Sequence, residues 1–389
     1  MKNLLDILRW SEEYFKKYSF SKPRLEAEKV ISHVLSIDRI LLYAEYDRPL
    51  IDEERVKVKR YILQMIKKKI GFDELLKEEN LETEEIKIKN SEVIKDNDNE
   101  KIKKNNRKEF LELLTKSIVY LKKYGSKEAK LDAEHVFSYV LKVSRMTMTL
   151  NFEREITKIE KEKIREMLVE IGKNKRPLQY VLGYEEFYGY KFHVDESVLI
   201  PRSETELLVE KCVKLMEGIE EPKILDIGSG SGAISISLGK EISKSVVLGV
   251  DISEKALAVA KKNKAENNAT NVKFMRSDIL KDVDYKKFNL IVSNPPYIPD
   301  YEYEVLEEKV LKHEPKLALT APNNGLYFYE EISKNAPNHL VKGGYLAFEI
   351  GYNQGEAVKK IMEKNDFFNI TVYYDYAEHE RMVIGKLDR

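Results

Sequence analysis

An apolar run that ends in two prolines constrains this chain more than any other feature. Residues 289–293 read Asn-Leu-Ile-Val-Ser, and residues 294–297 read Asn-Pro-Pro-Tyr. A short, β-branched apolar run predicts a buried strand of a parallel sheet. Neither proline can donate a ladder hydrogen bond and each holds φ near −65°, so the strand must end there. We therefore expect residues 294–297 at the carboxyl edge of an α/β sheet, where such folds bind ligands.

The four residues after this strand can hold an NH₂ group. The side-chain oxygen of Asn294 and the carbonyl oxygen of Pro295 are two neighbouring acceptors, and Tyr297 adds a flat face that can stack on an amide or a base. The predicted substrate-binding residues are Asn294, Pro295, Pro296 and Tyr297. Among them, we predict Asn294, Pro295 and Tyr297 as catalytic. A plain proline-rich turn is the alternative interpretation.

A glycine-rich loop follows an earlier predicted strand. The strand is 223–227, and the loop directly after it consists of Gly228, Ser229, Gly230, Ser231 and Gly232. Glycines at alternate positions permit a tight turn and a close approach of the backbone to a ligand. A glycine-rich loop alone is weak evidence, since dinucleotide-binding folds have one at the same place, but this loop lacks their Gly-x-Gly-x-x-Gly spacing.

Acidic residues stand near the ends of three predicted strands. Asp251 follows the run 246–250, about twenty residues beyond the loop, where a carboxylate can bind ribose hydroxyls. Asp278 and Ile279 come shortly after the run 272–275. Asp226 lies within the strand before the loop, where a structural carboxylate and a ligand contact are equally good interpretations. For Asp278, a turn residue is the alternative.

Taken together, these residues resemble the class I S-adenosylmethionine-dependent methyltransferases. Four further segments are similar to one family of them: 177–183 (Pro-Leu-Gln-Tyr-Val-Leu-Gly), 186–189 (Glu-Phe-Tyr-Gly), 198–202 (Val-Leu-Ile-Pro-Arg) and Thr205-Glu206. That family is HemK/PrmC, the protein-(glutamine-N5) methyltransferases that modify peptide chain release factors. The similarity covers about residues 110 to 389 and departs at Ser203-Glu204, where the family usually has Pro-Asp.

The resemblance implies a fold, a cofactor, a partner and an activity. The fold is a Rossmann-like, mainly parallel α/β sheet, preceded by small all-α domains and a β-hairpin, with a final antiparallel strand pair near 368–374 and 381–386. The methyl donor is S-adenosylmethionine, whose adenine would lie against Asp278 and Ile279. The predicted cofactor-binding residues are Gly228, Ser229, Gly230, Ser231, Gly232, Asp251, Asp278, Ile279 and Asn294. The methyl acceptor is the side-chain amide nitrogen of the glutamine in the Gly-Gly-Gln motif of release factors.

Other functions fit parts of the same pattern. A ribosomal-protein glutamine methyltransferase is a close alternative, and a nucleic-acid methyltransferase could hold the amino group of adenine or guanine in the same way. Lys plus Arg equals Asp plus Glu at 67 each, and this balance favours a protein substrate over direct nucleic-acid binding. An inert binding module is disfavoured because the glycine loop and residues 294–297 are intact.

An internal repeat appears when the chain is shifted by 106 residues. About twenty positions between 4 and 69 are then identical without a gap. Both copies have apolar residues at three- and four-residue spacing, which predicts amphipathic helices. The predicted organisation is a first helical domain (1–70), a charged linker (71–108), a second, substrate-docking helical domain (109–176), a β-hairpin connector (177–201) and the methyltransferase domain (202–389).

Composition limits the remaining classes. Cys212 is the only cysteine, which excludes an intrachain disulfide and a cysteine-rich zinc site, and the six histidines are scattered, so we predict no metal. No run has the length and apolar character of a membrane span or a signal peptide. The sequence therefore predicts a cytoplasmic protein without a membrane partner.

Overall fold

The computed structural model describes residues 4–35, 37, 39, 42, 48, 50, 52–77, 96–284 and 287–388. The contacts divide the chain into two units, 1–101 and 102–389. Each unit has an apolar core of its own. None of the helices within the described residues has the length and apolar character that crossing a membrane requires.

The first unit is helical where it is described. Its longer helices are α1 (Leu4–Lys17), α2 (Pro23–Leu35) and α3 (Asp52–Lys68), and residues 72–77 are also helical. Apolar residues recur three and four positions apart along α1, so that Leu4, Leu8 and Phe15 lie on one face and are fully buried. The helices pack around a single core, as their amphipathic pattern predicted.

A second helical region precedes the sheet. It consists of α4 (Asp96–Lys123), α5 (Ala129–Leu141), α6 (Arg145–Asn151), α7 (Lys158–Gly172) and α8 (Leu178–Leu182). Thr157 and Glu160 begin α7 with a capping box, because each side chain accepts the backbone N–H of the other. The basic end of the predicted linker is helical, since α4 begins at Asp96. Residues 78–95 of that linker lie outside the described residues.

Several internal polar contacts occur in both helical regions. Arg39 donates to the buried carboxylate of Glu28 at 3.4 Å, and Arg145 donates to that of Glu134 at 3.1 Å. Three further bonds match: Ser11–Ile7 with Ser117–Leu113, Ser32–Ile37 with Ser138–Val143, and Arg48–Glu54 with Arg154–Glu160. Every matched residue is 106 positions from its counterpart, the shift at which the sequence repeats. The repeat therefore extends from side-chain identity to hydrogen bonding.

Within the described residues, nine strands form a hairpin and a seven-stranded sheet. The hairpin pairs β1 (Tyr184–Phe187) with β2 (Tyr190–His193), which confirms the predicted hairpin, although the predicted connector 177–201 also contains the helix α8 at Leu178–Leu182. The sheet contains β3 (Lys223–Ile227), β4 (Val246–Asp251), β5 (Val272–Arg276), β6 (Phe288–Ser293), β7 (Leu340–Glu349), β8 (Phe367–Tyr374) and β9 (Glu380–Leu387). Its order is β5-β4-β3-β6-β7-β9-β8, with β9 antiparallel to both neighbours and the other pairs parallel. The predicted mainly parallel sheet with a terminal antiparallel pair is confirmed.

Helices cover both faces of this sheet. The α-helices after the hairpin are α9 (Ser203–Leu215), α10 (Ala233–Glu241), α11 (Glu254–Glu266), α12 (Asp300–Tyr303), α13 (Glu308–His313), α14 (Tyr327–Asn335) and α15 (Gly355–Glu363), of which α12 and α13 bury no residue. Successive residues of β6 point to opposite faces, so Leu290 and Val292 join one apolar core and Ile291 joins the other. All three are fully buried. Burial on both faces explains why this strand reads as a continuous apolar run.

Candidate active site

Three parallel strands end side by side at the carboxyl edge of the sheet. Ser293, the last residue of β6, is in register with Ile227 of β3 and with Phe348 of β7. The next residues along these strands are Asn294, Gly228 and Glu349. The register therefore brings the segment after β6 beside the glycine loop on one side and a carboxylate on the other.

A cavity of about 280 Å³ opens at this edge. Predicted site residues that line it are Gly228, Gly230, Asp251, Asp278, Ile279, Asn294, Pro295 and Pro296. Its wall also contains residues that we did not predict, among them Ser197, Val198, Leu199, Leu317, Tyr327 and Phe328. Ser229, Ser231, Gly232 and Tyr297 are predicted site residues that lie near the cavity without lining it. The structure thus brings together most of the residues that the sequence singled out.

The glycine loop is fixed by its own backbone. The N–H groups of Gly228 and Ser229 both donate to the carbonyl of Val250, at 2.8 and 2.9 Å. Gly228 has φ +74° and lines the cavity, with only Asn294 O, at 4.0 Å, near the place of a Cβ. A side chain at Gly228 would be strained and would project into space that a ligand can use. The loop therefore offers backbone, and no side chain, to a bound molecule.

Asp251 connects the loop to the next strand end. Its Oδ2 accepts the N–H of Gly230 at 2.9 Å, and its Oδ1 accepts the N–H of Ser253 at 2.9 Å. Burial raises the pKa of Asp251, and its backbone hydrogen bonds oppose the rise. Each carboxylate oxygen has two lone pairs, so both can also accept a hydroxyl from the cavity. This fits the predicted ribose contact.

Asp226 has one engaged and one unsatisfied oxygen. Oδ2 accepts both the N–H and the hydroxyl of Ser235, at 3.1 and 2.5 Å, which matches the structural interpretation. Oδ1 is fully buried and has no hydrogen-bond partner within the described residues, and the same holds for Ser229 Oγ. Burial raises the pKa of Asp226 to about 7, helped by the negative charge of Asp251. Neither Asp226 nor Ser229 lines the cavity, so these two oxygens are shielded from a bound molecule as well as from water.

The third strand end contributes a short turn. The N–H of Ser277 donates to the carbonyl of Asp251 at 3.1 Å, which places Asp278 and Ile279 along the cavity. Ile279 has φ +55°, and the Asp278 side chain is paired with Lys281. Both predicted adenine contacts therefore lie at the cavity wall, with the Asp278 carboxylate already engaged by a lysine.

Asn294 is held from the side opposite the loop. Its Nδ2 donates to Thr205 Oγ1 at 3.3 Å, and Thr205 Oγ1 donates to Glu349 Oε2 at 2.6 Å. Asn294 also hydrogen-bonds Glu349 and counters the rise in the pKa of that carboxyl. With the NH₂ group so engaged, Oδ1 is the Asn294 atom left to accept a hydrogen bond from a substrate.

The backbone of Tyr297 is clamped from two directions. Gln354 Nε2 donates to the Tyr297 carbonyl at 3.0 Å. Gly325, with φ +83°, packs so closely that a Cβ there would lie 2.2 Å from the same oxygen. Burial raises the pKa of the Tyr297 phenol well above its usual value. The turn after β6 is therefore rigid, and Tyr297 is oriented by packing.

Thr205 and Glu349 did not appear among the predicted site residues. Thr205 lies in the first turn of α9, and Glu349 is the last residue of β7. One sequence signal could have identified Glu349: an acidic residue that ends an apolar strand at the same sheet edge, as Asp251 does. Among the described residues, no group of three or more His, Cys, Asp or Glu side chains is suited to a metal ion.

Known families match both parts of the chain. The PrmC N-terminal domain family matches residues 6–69 and again 112–183, and the methyltransferase small domain family matches residues 203–318. The two PrmC N-terminal matches fall on the two repeated helical regions.

Several curated relatives align over most of their length. A release factor glutamine methyltransferase of Fusobacterium nucleatum is 46% identical over 92% of this chain and 94% of its own. The proteins of that name from Chlorobaculum tepidum and Bacillus cereus are 37% and 40% identical, over 70% and 66% of this chain and 95% and 92% of theirs.

The strand order, the glycine loop and the acidic strand ends define a class I S-adenosylmethionine-dependent methyltransferase. S-adenosylmethionine is therefore the methyl donor. With nearly full-length identity of 46% to a curated member, the chain belongs to the release factor glutamine methyltransferase family, HemK/PrmC.

Proposed function

We propose that this enzyme methylates the side-chain amide nitrogen of the glutamine in the Gly-Gly-Gln motif of peptide chain release factors. The observation that carries the proposal is the fixed amide of Asn294, whose NH₂ group donates to Thr205 at 3.3 Å. Its oxygen is then available to a substrate NH₂ group at the cavity wall. The curated relatives carry the name release factor glutamine methyltransferase, which supports the choice of substrate. A bacterial release factor substrate would also place the enzyme in the cytoplasm.

The chain's own residues would position and stabilise the reacting amide. A primary amide is a poor nucleophile because its nitrogen lone pair is delocalised into the carbonyl. Asn294 Oδ1 and the carbonyl of Pro295 would accept one N–H each and orient the nitrogen. Both acceptors stabilise the positive charge that develops on nitrogen during methyl transfer, so they act more strongly in the transition state than in the ground state. Tyr297 would pack near the amide and exclude water.

The remaining site residues would hold the methyl donor. S-adenosylmethionine supplies an electrophilic methyl group on a sulfonium when it is bound. Asp251 would accept its ribose hydroxyls, the turn at Asp278 and Ile279 would contact its adenine, and the loop 228–232 would approach it through the backbone. No general base is needed at Asn294, because a methylated amide nitrogen loses its proton readily to water.

A comparison of substrate classes tests this function. The enzyme is incubated with labelled S-adenosylmethionine and, separately, with a release factor, ribosomal proteins, RNA and DNA. We expect label in the release factor alone, and none in a release factor whose Gly-Gly-Gln glutamine is replaced. Label in ribosomal protein or nucleic acid, with none in the release factor, would overturn the proposal in favour of that substrate.

The first helical unit should be dispensable for chemistry. Removing residues 1–95 leaves α4 and every cavity residue in place. The Chlorobaculum tepidum relative is covered to 95% of its length by only 70% of this chain, so it has little sequence left to match the first unit. We expect unchanged S-adenosylmethionine affinity and a KM for release factor raised about two- to fivefold, the effect of a peripheral contact. Steady-state kinetics measures this, and loss of all activity from a folded truncation would contradict it.

A further inference from the structure

We infer that Thr205 and Glu349 are positioning residues that fix which end of the Asn294 amide faces the substrate. This inference rests on the proposed function, because it concerns the acceptor that a substrate NH₂ group would meet. Neither residue lines the cavity, so each would act through Asn294.

The orientation of Asn294 decides whether the site can hold an amide nitrogen. The oxygen and the NH₂ group of an asparagine side chain have nearly the same shape. If the amide turned over, its NH₂ group would meet the substrate NH₂ group, donor against donor. The site therefore needs hydrogen-bonding groups that keep the NH₂ group of Asn294 turned away from the cavity.

Thr205 and Glu349 form a hydrogen-bond chain with only one direction. An ionised carboxylate can only accept, so the Thr205 hydroxyl must donate to Glu349 Oε2, as it does at 2.6 Å. The Thr205 oxygen then has lone pairs left and no hydrogen, so it can only accept from Asn294. Asn294 Nδ2 lies 3.3 Å from it, in the donating role. Asn294 also hydrogen-bonds Glu349 directly, so the charge on Glu349 sets the orientation of the amide both through Thr205 and by its own contact.

The position of Glu349 is unusual for a residue without such a role. It is 2% exposed, and within the described residues it forms no ion pair of its own, since Arg381 is paired with Asp375 at 3.0 Å. A buried carboxylate without a direct cation is destabilising compared with an apolar side chain of similar volume. Such groups concentrate at functional sites.

The surroundings of Glu349 make the hydrogen bonds that orient Asn294 sensitive to pH. Burial raises the pKa of Glu349 to about 7, while the bonds from Thr205 and Asn294 and the charge of Arg381 oppose the rise. The groups that face it are Thr205 and Glu204 on α9, Arg381 on β9, Tyr297 after β6 and Tyr329 on α14. Below the pKa the carboxyl acquires a hydrogen to donate, and the direction of the chain is no longer fixed. Turnover should therefore fall as the pH drops from 8 to 6.

Two substitutions at Thr205 separate the hydroxyl from the shape of the side chain. Thr205→Val has the same shape and no hydroxyl, and Thr205→Ser keeps the hydroxyl and loses a methyl. We expect Thr205→Val to lower kcat for release factor about tenfold, the loss of one buried hydrogen bond. Thr205→Ser should stay within about threefold of wild type. The dissociation constant for S-adenosylmethionine, measured by calorimetry, should be equal in the wild type and both variants. This binding also shows that each protein is folded.

Glu349→Gln tests the role of the charge. Its side chain has the same shape and cannot ionise, so the rise of kcat with a midpoint near pH 7 in the wild type should disappear. If the wild type is active but Thr205→Val and Thr205→Ser have the same kcat, this inference is overturned and the proposed function is not. The same holds if Glu349→Gln keeps the wild-type pH profile of kcat. A wild type that does not methylate release factor would overturn the proposed function and this inference with it.

Discussion

Replacing Asn294 by alanine is expected to lower kcat for release factor methylation about 100-fold, the loss typical of one preorganised transition-state contact. Asn294 lies between the glycine loop and the Thr205–Glu349 pair, and its NH₂ group is engaged by Thr205 at 3.3 Å. Its oxygen is the acceptor that would stabilise charge on the reacting nitrogen. Affinity for S-adenosylmethionine should change by no more than about twofold, because the interaction acts mainly in the transition state.

Strand β6, which leads into Asn294, supplies a matched control for this experiment. Asn289 is on β6 at the opposite edge of the sheet, where its side-chain oxygen accepts the N–H of Lys223 at 2.8 Å. Asn289→Ala removes the same kind of side chain near the other end of β6 without touching the cavity, and it should retain wild-type kcat. If Asn294→Ala kept turnover within a few-fold of wild type, residues 294–297 would not hold the substrate amide as proposed.

The second large effect is expected at Asp251. Asp251→Ala should weaken S-adenosylmethionine binding by about 1–3 kcal/mol, since ribose hydroxyls in the cavity would lose their acceptor. The substitution also removes the acceptor of the Gly230 N–H, 2.9 Å away, and so loosens the loop that approaches the ligand. Isothermal titration calorimetry measures the change directly.

Two further variants serve as comparisons for the affinity of Asp251→Ala. Asp251→Asn keeps the shape and one acceptor oxygen, and its affinity should lie between those of wild type and Asp251→Ala. Asp284→Ala removes an exposed carboxylate that does not line the cavity, and it should bind like the wild type. Equal affinity of wild type and Asp251→Ala would remove Asp251 from the cofactor site.

The sheet could be predicted from the sequence because its strands are buried on both faces. The run 289–293 is apolar and β-branched, and the structure has β6 at Phe288–Ser293. For β7, the sequence has an apolar run only from Tyr345 to Ile350, whereas the strand begins at Leu340, because Gly343 and Gly344 interrupt the apolar pattern. The local apolar pattern thus predicted where the strands lie, and it was least accurate where glycines hid the end of a strand.

The residues behind the site could not be found in the same way. Thr205 and Glu349 are far apart in sequence, and only the packing of α9 against β7 brings their side chains within 2.6 Å. Leu317 and Phe328 line the cavity from the connection between β6 and β7, which has no strand or heptad pattern. Motifs identify residues next to a ligand, whereas the contacts that hold those residues depend on tertiary structure.

The position of the transferred methyl group tests the central claim most directly. Release factor is incubated with the enzyme and S-adenosylmethionine, digested, and analysed by tandem mass spectrometry. We predict one added methyl group on the side-chain amide nitrogen of the Gly-Gly-Gln glutamine, and none after incubation with Asn294→Ala for the same short time. A methyl group on any other residue would contradict the account. So would a release factor that stays unmodified although the enzyme binds S-adenosylmethionine.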